Sequence, residues 1–185
     1  MALVENHPYH LEELDGSDFE IIDHEPNIIG WDVKNEEGIL IGEVKNLLFD
    51  KHSRHVRYIV LDLEGNKLQL DEDREVLIPI GIAELYRKDK EKNKKNQPHD
   101  NRVYYPGEDG DVVILSDVTA EHINALPLYE KDHLSPHIEH AIRNIFARRN
   151  RVESPYVSND YNKDEFYRHE DFNETKFYNR RKDDE

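Results

Sequence analysis

Between Ile28 and Ile82 the chain concentrates nearly all of its dense aliphatic sequence, in segments too short and too often interrupted for helices. Apolar runs of this kind, bounded by turn residues, read as β-strands. Ile28 to Val33 is a first strand, and Asn35-Glu36-Glu37-Gly38 turns it. Ile39 to Phe49 is a second and longer one, with Ile41, Leu47 and Phe49 on one face and Leu40, Val44 and Leu48 on the other. Asp50 to Arg54 supplies the next turn. Val56 to Leu63 is the clearest strand: Val56, Tyr58 and Val60 share one face, and Ile59, Leu61 and Leu63 the other. A strand apolar on both faces is covered on both faces.

Glu64-Gly65-Asn66 reads as a hairpin turn into a short strand at Lys67–Leu70, and Glu75 to Ile80 closes the set. Gly30, Gly38 and Gly65 fall at turns. Gly42 interrupts a strand, where glycine marks a bulge or a close backbone approach. Pro79 has no N–H for a ladder and belongs at an edge or a strand end. Several short strands at this spacing predict a mainly β fold, α+β overall, built on a small antiparallel barrel.

Four regions follow from composition. Residues 1–27 are an acidic arm: nine carboxylates precede the first Lys or Arg, Lys34. Such a run is a solvated face, or an acidic docking surface for a basic partner. Residues 28–117 hold the barrel. They include the one basic run, Arg87 to Asn96, read as a solvated loop, and two further strands at Arg102–Tyr105 and Asp111–Leu115. Residues 118–150 are a helical extension. Thr119 caps a helix stopped by Pro127, and Ser135 at N-cap with Pro136 behind it opens another. Ile138, Ala141, Ile142, Ile145 and Phe146 line that helix's apolar face, and Arg148, Arg149 and Arg151 lie near its end. Residues 151–185 are a charged tail, partly disordered or helical, in which Phe166, Tyr167, Phe177 and Tyr178 are aromatic anchors and candidates for self-association.

Charge and missing residue types narrow the function. Charged residues equal hydrophobic ones at 36% each, and the net charge is −16. A nucleic-acid surface needs clustered Lys and Arg, so such a partner is disfavoured. With no cysteine there are no disulfides, thiolate metal sites or cysteine nucleophiles. No apolar run approaches the roughly 20 residues of a spanning helix. The first residues hold neither a basic nor an apolar signal region, and a cytoplasmic protein is expected. His133, His137, Glu139 and His140 are the densest potential ligands, and His137 and His140, three apart on a helix, are the pair that could share a metal. Their order is H-x-E-H, not the H-E-x-x-H of zinc hydrolases, and solvent-facing histidines are the expectation. No phosphate-cradling glycine loop or nucleophile motif is present, so neither a catalytic residue nor a cofactor is expected.

Taken together, several stretches resemble a PRC-barrel domain. They are Gly30-Trp31-Asp32-Val33, Glu37-Gly38-Ile39-Leu40-Ile41-Gly42-Glu43-Val44, Leu47 to Asp50, Val56 to Asp62 and Val76 to Gly81. That family includes the cytoplasmic domain of the photosynthetic reaction centre H subunit and the C-terminal domain of a ribosome maturation factor. Val118 to Ile123, Leu126 to Tyr129 and Asp171 to Arg181 are similar to segments of soluble relatives on the H-subunit side. The resemblance implies a non-enzymatic, homo-oligomeric interaction module with protein partners. It also implies two alternatives: a subunit tuning proton uptake near a quinone in photosynthetic electron transfer, and a ribosome- or RNA-processing factor using the Lys-rich loop.

Overall fold

The computed structural model of the protein describes residues 11–23, 25–86, 111–147 and 162–178. Its spine is the antiparallel pair β3 (Leu40–Asp50) and β4 (His55–Asp62), registered from Glu43↔Asp62 to Asp50↔His55. Register shifts between Val44 and Asn46 and between Leu48 and Phe49 break the alternation of β3. From Asn46 onward every β3 residue is buried. That is the consequence of apolar side chains on both faces: each must be covered, because a wrongly exposed face would forfeit about 25 cal/mol per Å² of apolar surface.

The other strands build outward from this pair. β5 (Glu75–Pro79) lies against β4, with Pro79 as its last residue, opposite Tyr58. The opposite edge of β3 is shared: β2 (Asp32–Asn35) pairs with its first residues and β1 (Leu11–Glu13) with its last. β2 then pairs with β7 (Val112–Leu115), and β7 with β6 (Ala83–Tyr86). The seven-stranded sheet thus runs β5-β4-β3-β2-β7-β6, with β1 off this path. Its terminal strands β5 and β6 follow each other in the chain, joined only by the 3₁₀ turn Ile80–Ile82. Among the described residues no ladder links those two strands, so the pairing is that of a sheet, not a closed ring.

Several expectations are corrected here. The sheet is not wholly antiparallel, because β2 and β7 run parallel from Asp32↔Val112 to Asn35↔Leu115. Parallel neighbours need a long crossover, which the 76 residues between Asn35 and Val112 supply. The first strand is shorter than expected, because Ile29 and Gly30 form a turn before it and Gly30 takes φ +87°. Gly38, at φ +79°, ends the turn after it. There the Asn35 carbonyl accepts from the Gly38 N–H, and the Asn35 side chain accepts from Glu37 and Ile39. β6 had no counterpart in the sequence reading. The expected strands at Arg102–Tyr105, the basic run Arg87–Asn96 and the arginines Arg148, Arg149 and Arg151 lie outside the described residues.

The strand expected at Lys67–Leu70 is a loop organised by one side chain. Gly65, at φ +71°, turns the chain, and Asn66 is then buried. Its amide nitrogen donates to the carbonyls of Leu63 and Leu70, at 2.9 and 3.1 Å. Its oxygen accepts from the N–H groups of Leu68 and Leu70, at 3.1 and 2.9 Å. Asparagine thereby satisfies backbone groups that a strand partner would otherwise take. Asn66→Ala leaves buried backbone groups without partners and is expected to cost about 2–3 kcal/mol, read as a lower urea midpoint. An unchanged midpoint would mean that water replaces the amide.

Two helices follow the sheet. α1 (Ala120–Ala125) starts at Thr119, whose hydroxyl accepts from the His122 N–H while the His122 ring accepts from the Thr119 N–H. α2 (Pro136–Ala147) starts at Ser135, which accepts from the Ile138 N–H at 3.3 Å. Both caps agree with the sequence. The C-terminal segment is ordered as a clasp of three short turns, α3 (Lys163–Phe166), a 3₁₀ turn Glu170–Phe172, and α4 (Glu174–Phe177). Asn162, His169 and Asn173 cap them in succession through their side chains. Phe166, Phe172 and Phe177 join Tyr58 and Phe146 among the largest fully buried side chains of the core.

Candidate functional site

Polar chemistry inside the molecule gathers where α2 and the clasp meet the sheet. Glu139, on the inward side of α2, is only 1% exposed. Its Oε1 accepts from the Tyr58 hydroxyl of β4 at 3.1 Å and from the Tyr167 hydroxyl at the end of α3. At that depth hydroxyl donors stand in for water around the carboxyl. One side chain therefore ties sheet, helix and clasp together. Around it the rings of Tyr58, Phe166, Tyr167 and Phe172 meet edge-on or tilted at centroid distances of 5.0 to 5.3 Å. The Arg57 guanidinium lies 4.6 Å from the Tyr167 ring centre and covers the cluster from outside.

Two further carboxylates anchor the clasp. Glu174 of α4 accepts from the Val56 N–H at the start of β4 and lies 3.5 Å from the His55 ring. Asp50, at the end of β3, is 1% exposed and sits 2.9 Å from Lys163 of α3. It also accepts from the N–H groups of His52 and Ser53. Burial pushes the Asp50 carboxyl upward, but Lys163 and these two N–H donors outweigh it, and the group stays below its ordinary value. A carboxyl depressed in the folded state contributes stability above its unfolded value, near 3.8, and loses it as pH falls through the folded value. Asp50→Asn is therefore expected to lower the urea midpoint at pH 7 and to change it less at pH 3. An equal loss at both values would sink the ion-pair account.

Beside α2 the surface is hollowed. Leu77, Pro127, Leu128, Leu134, Ile138 and Ile142 line an apolar groove, and Leu128 at its lip is 50% exposed. Tyr129 and Leu134 also line a second depression of about 360 Å³, shared with the β1 end of the sheet. The Tyr129 hydroxyl donates to Glu13 at 2.9 Å, and Lys131 pairs with the other Glu13 oxygen at 2.8 Å. Burial first, and then the Glu13 carboxylate, pushes the Tyr129 hydroxyl far up, so it remains a donor.

The family model for the PRC-barrel domain matches residues 24–95. The chain carries a PRC-barrel domain. Comparison with curated proteins gives no match. The matched stretch contains β2 to β6. β1 precedes it, while β7, both longer helices and the clasp lie beyond it. The groove is thus built largely from residues outside the match, with Leu77 as the PRC-barrel domain's contribution.

The residues singled out in the sequence fall as follows. Phe166, Tyr167 and Phe177 are buried at 2%, 6% and 0%, and Tyr178 is half-buried with its ring 4.8 Å from Phe177. These aromatics hold the clasp to the chain's own core and offer no exposed patch for self-association. His137 is exposed. His140 is partly buried with its ring edge-on to Phe166 at 5.1 Å, and burial, then Arg143 and His137, lowers its pKa. Among the described residues no group of three or more His, Asp or Glu side chains is placed to hold a metal ion. Gly42 sits at the expected close approach, against the Asp62 carbonyl. Glu139, singled out in the sequence beside the histidines, is instead buried against Tyr58 and Tyr167, and sequence reasoning missed Asp50 and Glu174, because a carboxylate on a charged chain carries no sign of its burial. Among the described residues no helix is long and apolar enough to cross a membrane.

Proposed function

We propose that this protein is a non-enzymatic interaction module, in which the PRC-barrel domain is a rigid platform and the α1–α2 region supplies the docking face. The observation that carries this reading is the apolar groove with Leu128 half-exposed at its lip. An apolar hollow with a large exposed side chain on a very acidic chain marks a surface that water covers poorly. The buried titratable groups support it from the other side. Glu139, Asp50 and Glu174 are committed to joining elements, which is structural work.

The reading includes closure of the sheet as a small barrel, supported by the three-residue link between its terminal strands. Slow amide exchange along both free edges of β5 and β6 would agree with closure, and fast exchange there would count against it. The similarity of Leu126 to Tyr129 and of Asp171 to Arg181 to H-subunit-like relatives belongs to the same reading. It treats the protein as acting in the cytoplasm on a different protein, since the aromatics that suggested self-association are internal.

The experiment is affinity purification from the source cells after cross-linking, with wild-type chain and Leu128→Asp as baits, alongside native mass of each. The expected result is a stoichiometric partner held by the wild type and lost by Leu128→Asp. A wild type with no partner, or a partner indifferent to Leu128→Asp, overturns the reading.

A further inference from the structure

We infer that the groove takes a short amphipathic segment of another protein, apolar on one side and carrying Lys or Arg on the other. This rests on the interaction-module reading and adds the chemistry of the partner. The two depressions adjoin at Tyr129 and Leu134, which line both. Apolar side chains line the joined hollow at both ends, Leu11 and Leu48 at one and Leu77, Ile138 and Ile142 at the other, with Leu48, Leu77 and Ile142 nearly buried. Its rim is acidic: Glu12, Glu13, Asp15, Glu130 and Asp132 face one lysine, Lys131.

Not all of that negative charge is available. Glu12 is paired with Lys51 at 2.6 Å, Glu13 with Tyr129 and Lys131, and Glu130 lies 3.2 Å from the His133 ring. Asp15 and Asp132 are exposed and act on Lys131 through their charge. They stand on either side of the shared Tyr129–Leu134 saddle, Asp15 from the β1 side and Asp132 from the loop before α2. A ligand whose apolar residues enter the hollow would thus meet at its flanks exposed carboxylates that outnumber the one lysine among them, and cationic side chains complement them.

The same charge argues against a second copy as occupant. Each chain carries −16, and two acidic rims brought together repel. An acidic amphipathic segment would meet the same repulsion. A short helical or extended segment suits such a surface, its apolar anchors giving affinity and its charges register.

The test titrates two synthetic amphipathic peptides, one of leucine and lysine and one with every lysine replaced by glutamate, into ¹⁵N-labelled full-length protein. The lysine peptide is expected to shift the amides of Tyr129, Leu134 and Ile138 and to weaken steeply as salt rises. Leu128→Ser should weaken it at least 5-fold, and Asp15→Asn with Asp132→Asn by a similar factor. All three positions are exposed, and an unchanged spectrum of each free variant verifies the fold. Shifts scattered over the whole surface with no dependence on Leu128, equal binding of the glutamate peptide, or no binding of either overturns the inference. So does a concentration-dependent dimer abolished by Leu128→Asp, which would make a second copy the occupant. A cellular partner lost with Leu128→Asp while the lysine peptide fails to bind leaves the interaction module standing and removes only the basic chemistry.

Discussion

Replacing Gly42 with alanine should lower the thermal midpoint of the whole protein by about 10 °C, from a cost of about 3–4 kcal/mol at 2–4 °C per kcal/mol. A Cβ at this position would lie 2.0 Å from the Asp62 carbonyl oxygen, 3.0 Å from its carbon and 3.1 Å from a Leu61 methyl. Two of those atoms are backbone, so no side-chain rotation relieves the contact. β3 and β4 must separate near the Glu43↔Asp62 end of their ladder, where β3 also turns from β4 toward β2. Because these two strands are the spine from which the others build, the loss should be global. A single cooperative transition, displaced without change of steepness in urea, is the expected form. A midpoint within 1 °C of wild type would show that the strands relax apart freely at this bend.

The strands of the domain could be read in the sequence because their information is local. Val56 to Leu63 declares two apolar faces within eight residues, and Thr119 and Ser135 declare helix starts within three. β6 escaped notice for the opposite reason. Ala83-Glu84-Leu85-Tyr86 has a weak apolar pattern, and its partner β7 comes only after 25 further residues. Nothing short-range could announce that a parallel β2–β7 pair would place β7 beside it. The clasp was only partly legible on the same grounds. Its aromatics lie among charges, a pattern that points to docking on the protein's own surface without saying where. What buries them is contact with distant elements: Glu139 meets Tyr58 across 81 positions and Tyr167 across 28, and Glu174 meets the Val56 N–H across 118. The groove was invisible for a related reason, since Leu11, Leu77 and Ile138 become neighbours of one surface only after folding. Of the acidic arm read in the first 27 residues, Glu12, Glu13 and Asp15 line the second depression.

Gly81→Ala is the second large effect, and it should be local where Gly42→Ala is global. Gly81 lies in the turn joining β5 to β6, and the clasp crosses directly over it. A Cβ there would lie 2.2 Å from the Glu170 carbonyl oxygen, 2.7 Å from the Asp171 carbonyl carbon and 2.8 Å from the Asn173 nitrogen. Both sides of the contact are backbone, but only one is woven into the sheet. The clasp is held by Phe166, Phe172 and Phe177 and by the anchors Asp50–Lys163 and Glu174–Val56. When strain exceeds what these contacts return, the clasp lifts and the sheet stays. A strain of about 3 kcal/mol would raise amide exchange within residues 162–178 by roughly a hundredfold while β3 and β4 amides keep their protection. A double-mutant cycle then separates release from general weakening. Phe172→Ala alone removes a fully buried ring and should cost about 3–5 kcal/mol. In a Gly81→Ala background whose clasp is already loose, the same change should cost less, a coupling of at least about 1 kcal/mol. Strict additivity, or loss of β3–β4 protection in Gly81→Ala itself, would mean that the clasp and the sheet are one cooperative unit.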